Sequence, residues 1–327
     1  MNYIKRTWKL FDNYFLKRLR KEPSTAFFWY LPEPPTLNKK EDLPHYQDAK
    51  KVPPFFIDYR QKLQYSLQNA EGIIVLPYDQ PIGSQVNPEA AFQYALGLHD
   101  QYLVSEDKIF FTKFWQYVDY FVAEQTEEGL WEYRFNWFES KAPWSSALAQ
   151  TRGASVMLRA WLHSQNEIYL NAAILALKKL TTPISEGGFL HIFPHTGLPY
   201  FEEYPKKPTG VINGFMSSLI CIFEMKYWVG EQWIEDLWNV GIESLTKMLP
   251  YYSNGWWSLY DMDNDRFVNV NSPRYHLLEI NYLKVLSILS DSAILKNEYI
   301  LREKQYSKIH HRYKALMYKL MRKIFYR

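Results

Sequence analysis

Residues 210–261 read GVINGFMSSLICIFEMKYWVGEQWIEDLWNVGIESLTKMLPYYSNGWWSLYD, and the pattern of this stretch decides the fold. It reads as two helices, about 210–228 and 231–249, the second ended by Pro250, which cannot continue a hydrogen-bonded helix. A glycine and a run of aromatics follow: Gly255-Trp256-Trp257-Ser258-Leu259-Tyr260-Asp261.

The same text occurs on either side. Asn87-Pro88-Glu89 has a capping side chain, a proline for the first turn and an early acid, so it opens a helix carrying Phe92, Leu96, His99 and Leu103. A partner over about 106–125 stops at Glu128-Gly129, followed by Leu130-Trp131-Glu132-Tyr133. The next pair, about 144–163 and 167–180, ends before Pro183 and then Gly187-Gly188-Phe189-Leu190. A fourth covers about 275–290 and 292–307. The glycines at 129, 187 and 255 lie 58 and 68 residues apart, a degenerate repeat of helical hairpins. The expected fold is all-α dominated: an incomplete α/α toroid of about four hairpins over 85–307, with the glycine-aromatic loops around a cleft. A plain α-solenoid fits the helix pattern too; Trp and Tyr on the loops favour the cleft.

Residues 1–84 are expected to hold a basic N-terminal helix, a wrapping segment with seven prolines in 22–54, and a short strand at Gly72–Pro77. Residues 308–327 are expected to form a basic amphipathic helix. Ile4, Trp8, Phe11, Phe15 and Leu19 share one helical face at the start, and Ile309, Tyr313, Leu316, Leu320 and Ile324 share one at the end. Each reads first as a helix packed by its apolar face with a solvated basic back; the other reading is a membrane-surface or partner dock. Each terminus carries seven Lys/Arg, against one acid at the start and none at the end, so the +3 of the 327-residue chain hides a body near −10. A polyanionic ligand would therefore need a local cationic cluster.

Aromatic residues make up 18% of the chain, with 12 Trp, 26 Tyr and 20 Phe, enough for a large core and for flat platforms under sugar rings. The lone Cys221 sits in an apolar run and allows neither an internal disulfide nor a thiolate zinc site. His191, His195 and Glu202 match no standard metal spacing. Phosphate-cradling glycine loops and Ser/His/Asp signatures are not evident, and the basic termini match no nucleic-acid-binding fold. No metal, cofactor or nucleic acid is expected. No apolar run is long enough to span a bilayer, and the start lacks a secretory signal pattern, so the expected place is cytoplasmic, with a peripheral position on the inner face of a membrane left open.

Four blocks bear on chemistry. They are Pro143-Trp144-Ser145-Ser146-Ala147-Leu148-Ala149-Gln150; Glu202-Glu203-Tyr204-Pro205 leading to Val211-Ile212-Asn213-Gly214-Phe215; Leu259-Tyr260-Asp261; and Tyr275-His276 followed by Ile280-Asn281. In order and spacing over about 143–290 they resemble the C-terminal domain of the D-glucuronyl C5-epimerases, which convert glucuronate to iduronate in heparan-type polysaccharides. The resemblance implies that Glu203, Tyr204, Tyr260 and Tyr275 are catalytic. It sets Trp144, Gln150, Glu202, Asn213, Arg266, Arg274 and His276 as substrate-binding candidates. Residue by residue, blander roles compete: Trp144 and Gln150 as wall, Asn213-Gly214 for close helix approach, His276 as a structural histidine. Two departures stand out. Asp263 occupies the place of a family arginine, leaving Arg266 or Arg274 to supply the charge, and the large β-rich domain of the animal enzymes is absent.

Inverting C5 removes a proton beside a carboxylate and returns one to the opposite face, so the site needs a base, an acid and a donor for the charge that builds up. Glu203 or Tyr204 on one face and Tyr275 on the other, with Tyr260 and His276 or an arginine at the carboxylate, would meet that need. The partner expected is a uronic-acid polysaccharide such as heparosan, with a homodimer and a glycosyltransferase contact through the basic termini left open. A polysaccharide lyase, starting from the same proton abstraction, and a non-catalytic glycan-binding protein of surface-polysaccharide assembly are the rival readings.

Overall fold

The computed structural model describes residues 7–8, 11–12, 16–30, 36–38, 52–262 and 268–326. Arg266, Asp263, Ile4 and Phe15 lie outside the described residues.

Four hairpins form in the expected places: α1 (Pro88–Ser105) with α2 (Lys108–Glu124), α3 (Ala147–Ser164) with α4 (Glu167–Lys178), α5 (Ile212–Val229) with α6 (Gln232–Met248), and α7 (Pro273–Leu289) with α8 (Ala293–Ser307). Local chemistry sets their starts. Asn87 accepts from Ala90 N–H, Ser146 from Ala149, Asn166 from Ile168, Ser272 from Tyr275 and Ser292 from Leu295. The inner helices α1, α3, α5 and α7 pack side by side in that order, and each is buried over most of its circumference. The outer helices α2, α4, α6 and α8 bury one stripe. The result is an incomplete α/α toroid.

Polar ties stitch the inner ring. Arg159 on α3 meets Glu224 on α5 at 2.8 Å, and Ser155 donates to the same carboxylate at 2.6 Å. Such buried charges are tolerated because they are paired. Gly153 lets α3 approach its neighbours: an added Cβ would lie 2.4 Å from the Trp131 ring.

The repeated glycines have a conformational reason. Gly129, Gly187 and Gly255 have φ of +86°, +82° and +86°, a region that penalises any Cβ. Two residues later stand Trp131, Phe189 and Trp257, all fully buried. Trp131 donates its indole N–H to Phe121 O and Trp257 to Asn271 O, at 2.8 and 2.9 Å. These aromatics are core pegs, each burying apolar area that stabilises by about 2 kcal/mol. The expectation that the loop tryptophans face the cleft is thus corrected for Trp131 and Trp257.

At 25–29 the chain is helical where the prolines suggest an extended run. Ser24 caps a short helix, Thr25–Trp29, whose Phe27 and Phe28 join the main core together with Phe55, Phe56 and Ile57. Two-stranded ribbons pair β1 (Thr36–Leu37) with β2 (Ile57–Asp58), and β3 (Leu76–Pro77) with β4 (Ser84–Gln85). A third pairs β5 (Leu190–Ile192) with β6 (Pro199–Phe201). The short 3-10 helix at Arg60–Gln64 packs on α1, where a Cβ on Gly97 would meet Tyr59 O at 2.7 Å.

The C-terminal helix α9 (Ile309–Tyr326) packs on α7 and α8 in the opposite sense to that expected. Ile309, Tyr313, Leu316 and Leu320 are exposed, Tyr313 at 64%, whereas Ala315 is buried and Arg322 is 6% exposed. At the other end Trp8, Phe11 and Leu19 are exposed as well. No helix among the described residues is long and apolar enough to cross a membrane.

Candidate active site

Because each hairpin is antiparallel, the four inner helices run the same way and their N-termini open on one side of the ring. There they surround a cleft of about 630 Å³. Asn87 and Glu89 from α1, Ser146 and Leu148 from α3, Val211, Asn213 and Gly214 from α5, and Arg274, Tyr275 and Leu278 from α7 all line it. Four helix N-termini give this cleft a positive bias that suits an anion.

Glu203, Tyr204, Tyr260 and Tyr275 share this cleft. The loop from β6 to α5 carries Glu203 and Tyr204. Its shape is set by Glu202, which is buried and accepts from Tyr200 Oη (2.6 Å), Tyr204 N (3.1 Å) and Gly210 N (3.2 Å). Glu203 rests against the first turn of α5, where a Cβ on Gly214 would lie 2.6 Å from Glu203 Oε2. Val211, at the capping position of α5, has no side-chain oxygen to offer that turn. The Tyr204 phenol neighbours the Glu203 carboxylate and favours its ionised form. Tyr260 lies in the loop after α6, held by Tyr260 N–H to Asn269 O at 2.7 Å, while its carbonyl accepts from Ile212 N at 3.4 Å. Tyr275 opens α7 beneath its Ser272 cap. The Tyr260 and Tyr275 rings meet edge-on at 5.4 Å, and Tyr30 from the N-terminal segment stands 6.2 Å beyond Tyr275.

Crowding of acids in a low-dielectric setting shifts their protons. Burial pushes the Glu203 carboxyl up to about 8; the Tyr204 hydrogen bond pulls it down, and the charges of Glu202, Glu89 and Asp261 push it up again. Burial and then the Glu203 charge hold the Tyr204 and Tyr260 phenols well above the ordinary tyrosine range, so both are neutral donors at neutral pH. On the same wall Lys62 is pushed down to about 7 by burial and by the neighbouring Arg274. It donates to Phe28 O at 2.8 Å. Arg274 lies 6.0 Å from the Tyr30 ring.

The remaining sequence candidates divide. Trp144, Asn213 and Arg274 line the cleft, Trp144 stacked on Tyr133 at 4.0 Å and tilted toward Tyr204 at 6.1 Å. Gln150 does not: its amide pairs with both the N–H and the C=O of Trp131, at 3.0 and 2.8 Å. Glu202 is consumed by its own loop. His276 is also off the cleft, with Nδ1 taking the Ser258 hydroxyl at 2.7 Å, Nε2 donating to Arg302 O at 3.1 Å, and its ring stacked 3.7 Å from Trp257. Burial, then the Arg302 charge, drives it down to about 3, so it stays neutral. Tyr133, on the first glycine-aromatic loop, lines the cleft as the loop pattern implied, whereas the sequence reading missed Lys62, Lys319, Arg322 and Lys323 as lining groups. No motif marks them, since they enter from segments whose contact with the cleft depends on tertiary packing. Among the described residues no cluster of three or more His, Cys, Asp or Glu is arranged to hold a metal ion.

The comparisons with known proteins concern this same region. The family described as the D-glucuronyl C5-epimerase C-terminus matches residues 124–304, more than half of the chain. The chain is 32% identical over 168 residues to the D-glucuronyl C5-epimerase of Caenorhabditis elegans, which is 46% of this chain and 27% of the worm protein. It therefore spans only about a quarter of that relative's length. It is 28% identical over 221 residues to an uncharacterised protein of Methanocaldococcus jannaschii, covering 64% of this chain and 67% of the other. Among solved structures, a glycoside hydrolase family 76 mannosidase from Bacteroides thetaiotaomicron aligns with a TM-score of 0.45 at 16% identity, over 71% of this chain and 62% of that one. With Glu203 and the three tyrosines all inside the matched span, the chain belongs to the D-glucuronyl C5-epimerase C-terminal family.

Proposed function

We propose that this chain inverts C5 of a hexuronate residue within an acidic glycan, turning D-glucuronate to L-iduronate in a heparosan-like polymer. The observation that carries the reading is the convergence of Glu203, Tyr204, Tyr260 and Tyr275 from three separate segments on one cleft. Removing the C5 proton leaves two negative charges on the carboxylate, so donors must already be in place. Glu203, or Tyr204 working through it, takes the proton, and the C5–H electron pair moves into the C5–C6 bond to give an enediolate. Tyr275 then delivers a proton to the opposite face. Base and phenol exchange protons with water and are reset, and no oxidant or cofactor enters the balance.

The carboxylate needs a counter-charge. With His276 neutral and off the cleft, Arg274 takes that role, and Lys62 beside it adds a second cation. A carboxylate bound between them would relieve their mutual repulsion and draw a proton back onto Lys62. Tyr260 supplies the neutral phenol donor.

Incubation with heparosan in deuterated water tests this directly. An epimerase places deuterium at C5 and yields both epimers at unchanged chain length. Shortened chains with an ultraviolet-absorbing double bond would mean a lyase instead. Binding without any C5 exchange would mean a glycan-binding protein.

A further inference from the structure

The family match ends at residue 304, yet the cleft is completed by α9, which follows it. Lys319, Arg322 and Lys323 stand at i, i+3 and i+4, one face of one turn, and all three line the cleft. A helix seated on a globular body for apolar burial alone turns its apolar stripe inward. Here Tyr313, Leu316 and Leu320 face outward while Arg322 is 6% exposed and Lys319 and Lys323 are half-buried. Burial of apolar area alone would give the reverse orientation, so hydrophobic packing does not account for this one.

The contacts tie the turn to the reaction site. Lys319 Nζ donates to Asn269 Oδ1 at 2.7 Å and lies 4.6 Å from the Tyr260 ring. Asn269 in turn donates to Asp261 at 2.7 Å and accepts the Tyr260 N–H. This basic wall lies beside Tyr260, whereas Arg274, with Lys62 near it, adjoins Tyr275 through Tyr30. A polymer with a carboxylate on every second sugar would present one anion to each wall.

We propose that α9 is a polyanion-binding wall of the cleft: Lys319, Arg322 and Lys323 hold the carboxylate of a uronate neighbouring the one that reacts. The inference rests on the glycan reading given above and extends it to a second subsite, outside the matched family region, that selects a charged polymer over a single sugar acid.

The test measures heparosan binding by the quenching of tryptophan fluorescence over a range of salt, and C5 deuterium exchange separately. The variants are Lys319→Gln with Lys323→Gln, and the same pair changed to Arg. Lys296→Gln, an exposed charge on α8, serves as control. Each lost cation should weaken binding about tenfold. The salt dependence should flatten, the loss in exchange should fall mainly on KM, and the arginine pair should restore both. The control should change neither. If the double variant binds no worse than the control, or loses kcat alone, the wall does not bind polymer. If wild type binds heparosan in this α9-dependent way but exchanges no C5 proton, the subsite stands and the epimerase reading falls.

Discussion

If Glu203 is the base, the reaction must follow its ionisation. Burial holds its carboxyl at about 8 in the free protein. A base must be unprotonated, so the ionisation of Glu203 should make kcat/KM, which reports the free enzyme, climb with pH below that value. Between pH 6 and pH 8 the ionised fraction rises from about one hundredth to one half, a gain of about fifty-fold. Lys62, the second cation at the carboxylate, loses its proton above about 7 in the free protein, so kcat/KM should fall again on the alkaline side, while burial keeps the phenols of Tyr204 and Tyr260 protonated beyond the ordinary tyrosine range. The assay is C5 deuterium incorporation into heparosan across pH 5–10 with melting temperature followed in parallel, and Glu203→Gln should lose about 10²–10⁴-fold of the rate at the optimum. A rising limb near the ordinary carboxylate range would show that the site does not raise Glu203. A Gln variant with undiminished exchange would remove Glu203 from the chemistry and leave Tyr204 as the base.

Other perturbations separate chemistry from folding. Gly214→Ala puts a methyl 2.6 Å from Glu203 Oε2, so it should cut exchange more than tenfold while the melting temperature holds or rises, alanine being better than glycine in a helix by up to about 1 kcal/mol. Tyr260→Phe and Tyr275→Phe should each lower exchange by about 10²–10⁴-fold and leave heparosan binding, read by tryptophan quenching, largely intact. Arg302→Met strands Glu279, its buried partner at 2.6 Å, and should destabilise by about 3–5 kcal/mol in urea unfolding. Joining it to Glu279→Leu should recover much of that loss, which a catalytic role for either residue would not predict.

The hairpins were legible because their signals are local. Asn87-Pro88 and Ser146 cap their helices, Pro250 ends one, and Gly129, Gly187 and Gly255 stand where the backbone takes positive φ. What failed was the inference from a pattern to a facing. Trp131 and Trp257 sit on rim loops, yet each indole finds a backbone carbonyl in the core, a partner that sequence spacing does not reveal. Periodicity in α9 identified a correct apolar stripe but assigned it to the protein side. That assignment presumes that burial of apolar area is the strongest pull on a surface helix. A basic face can turn inward where an electronegative lining awaits it, as with Lys319 against Asn269 and the Tyr260 ring.

The site itself follows from topology once the ring is granted. Antiparallel hairpins make the inner helices parallel, so the segments that enter them all meet on one side. Tyr78 before α1, Trp144 before α3, Tyr204 before α5, and Tyr260 and Tyr275 at the entry to α7 all reach the cleft by this rule. Gln150 and His276 stand inside their helices at positions that turn toward the core, and the rule leaves both out. Lys62 and the α9 cations obey no such rule, because they come from segments that wrap the ring rather than form it. The residues proposed for the reaction therefore belong to the repeat, and those proposed to grip the charge of the substrate come largely from outside it. This division lets substrate preference change through the wrapping segments while the tyrosines and Glu203 stay where the ring puts them.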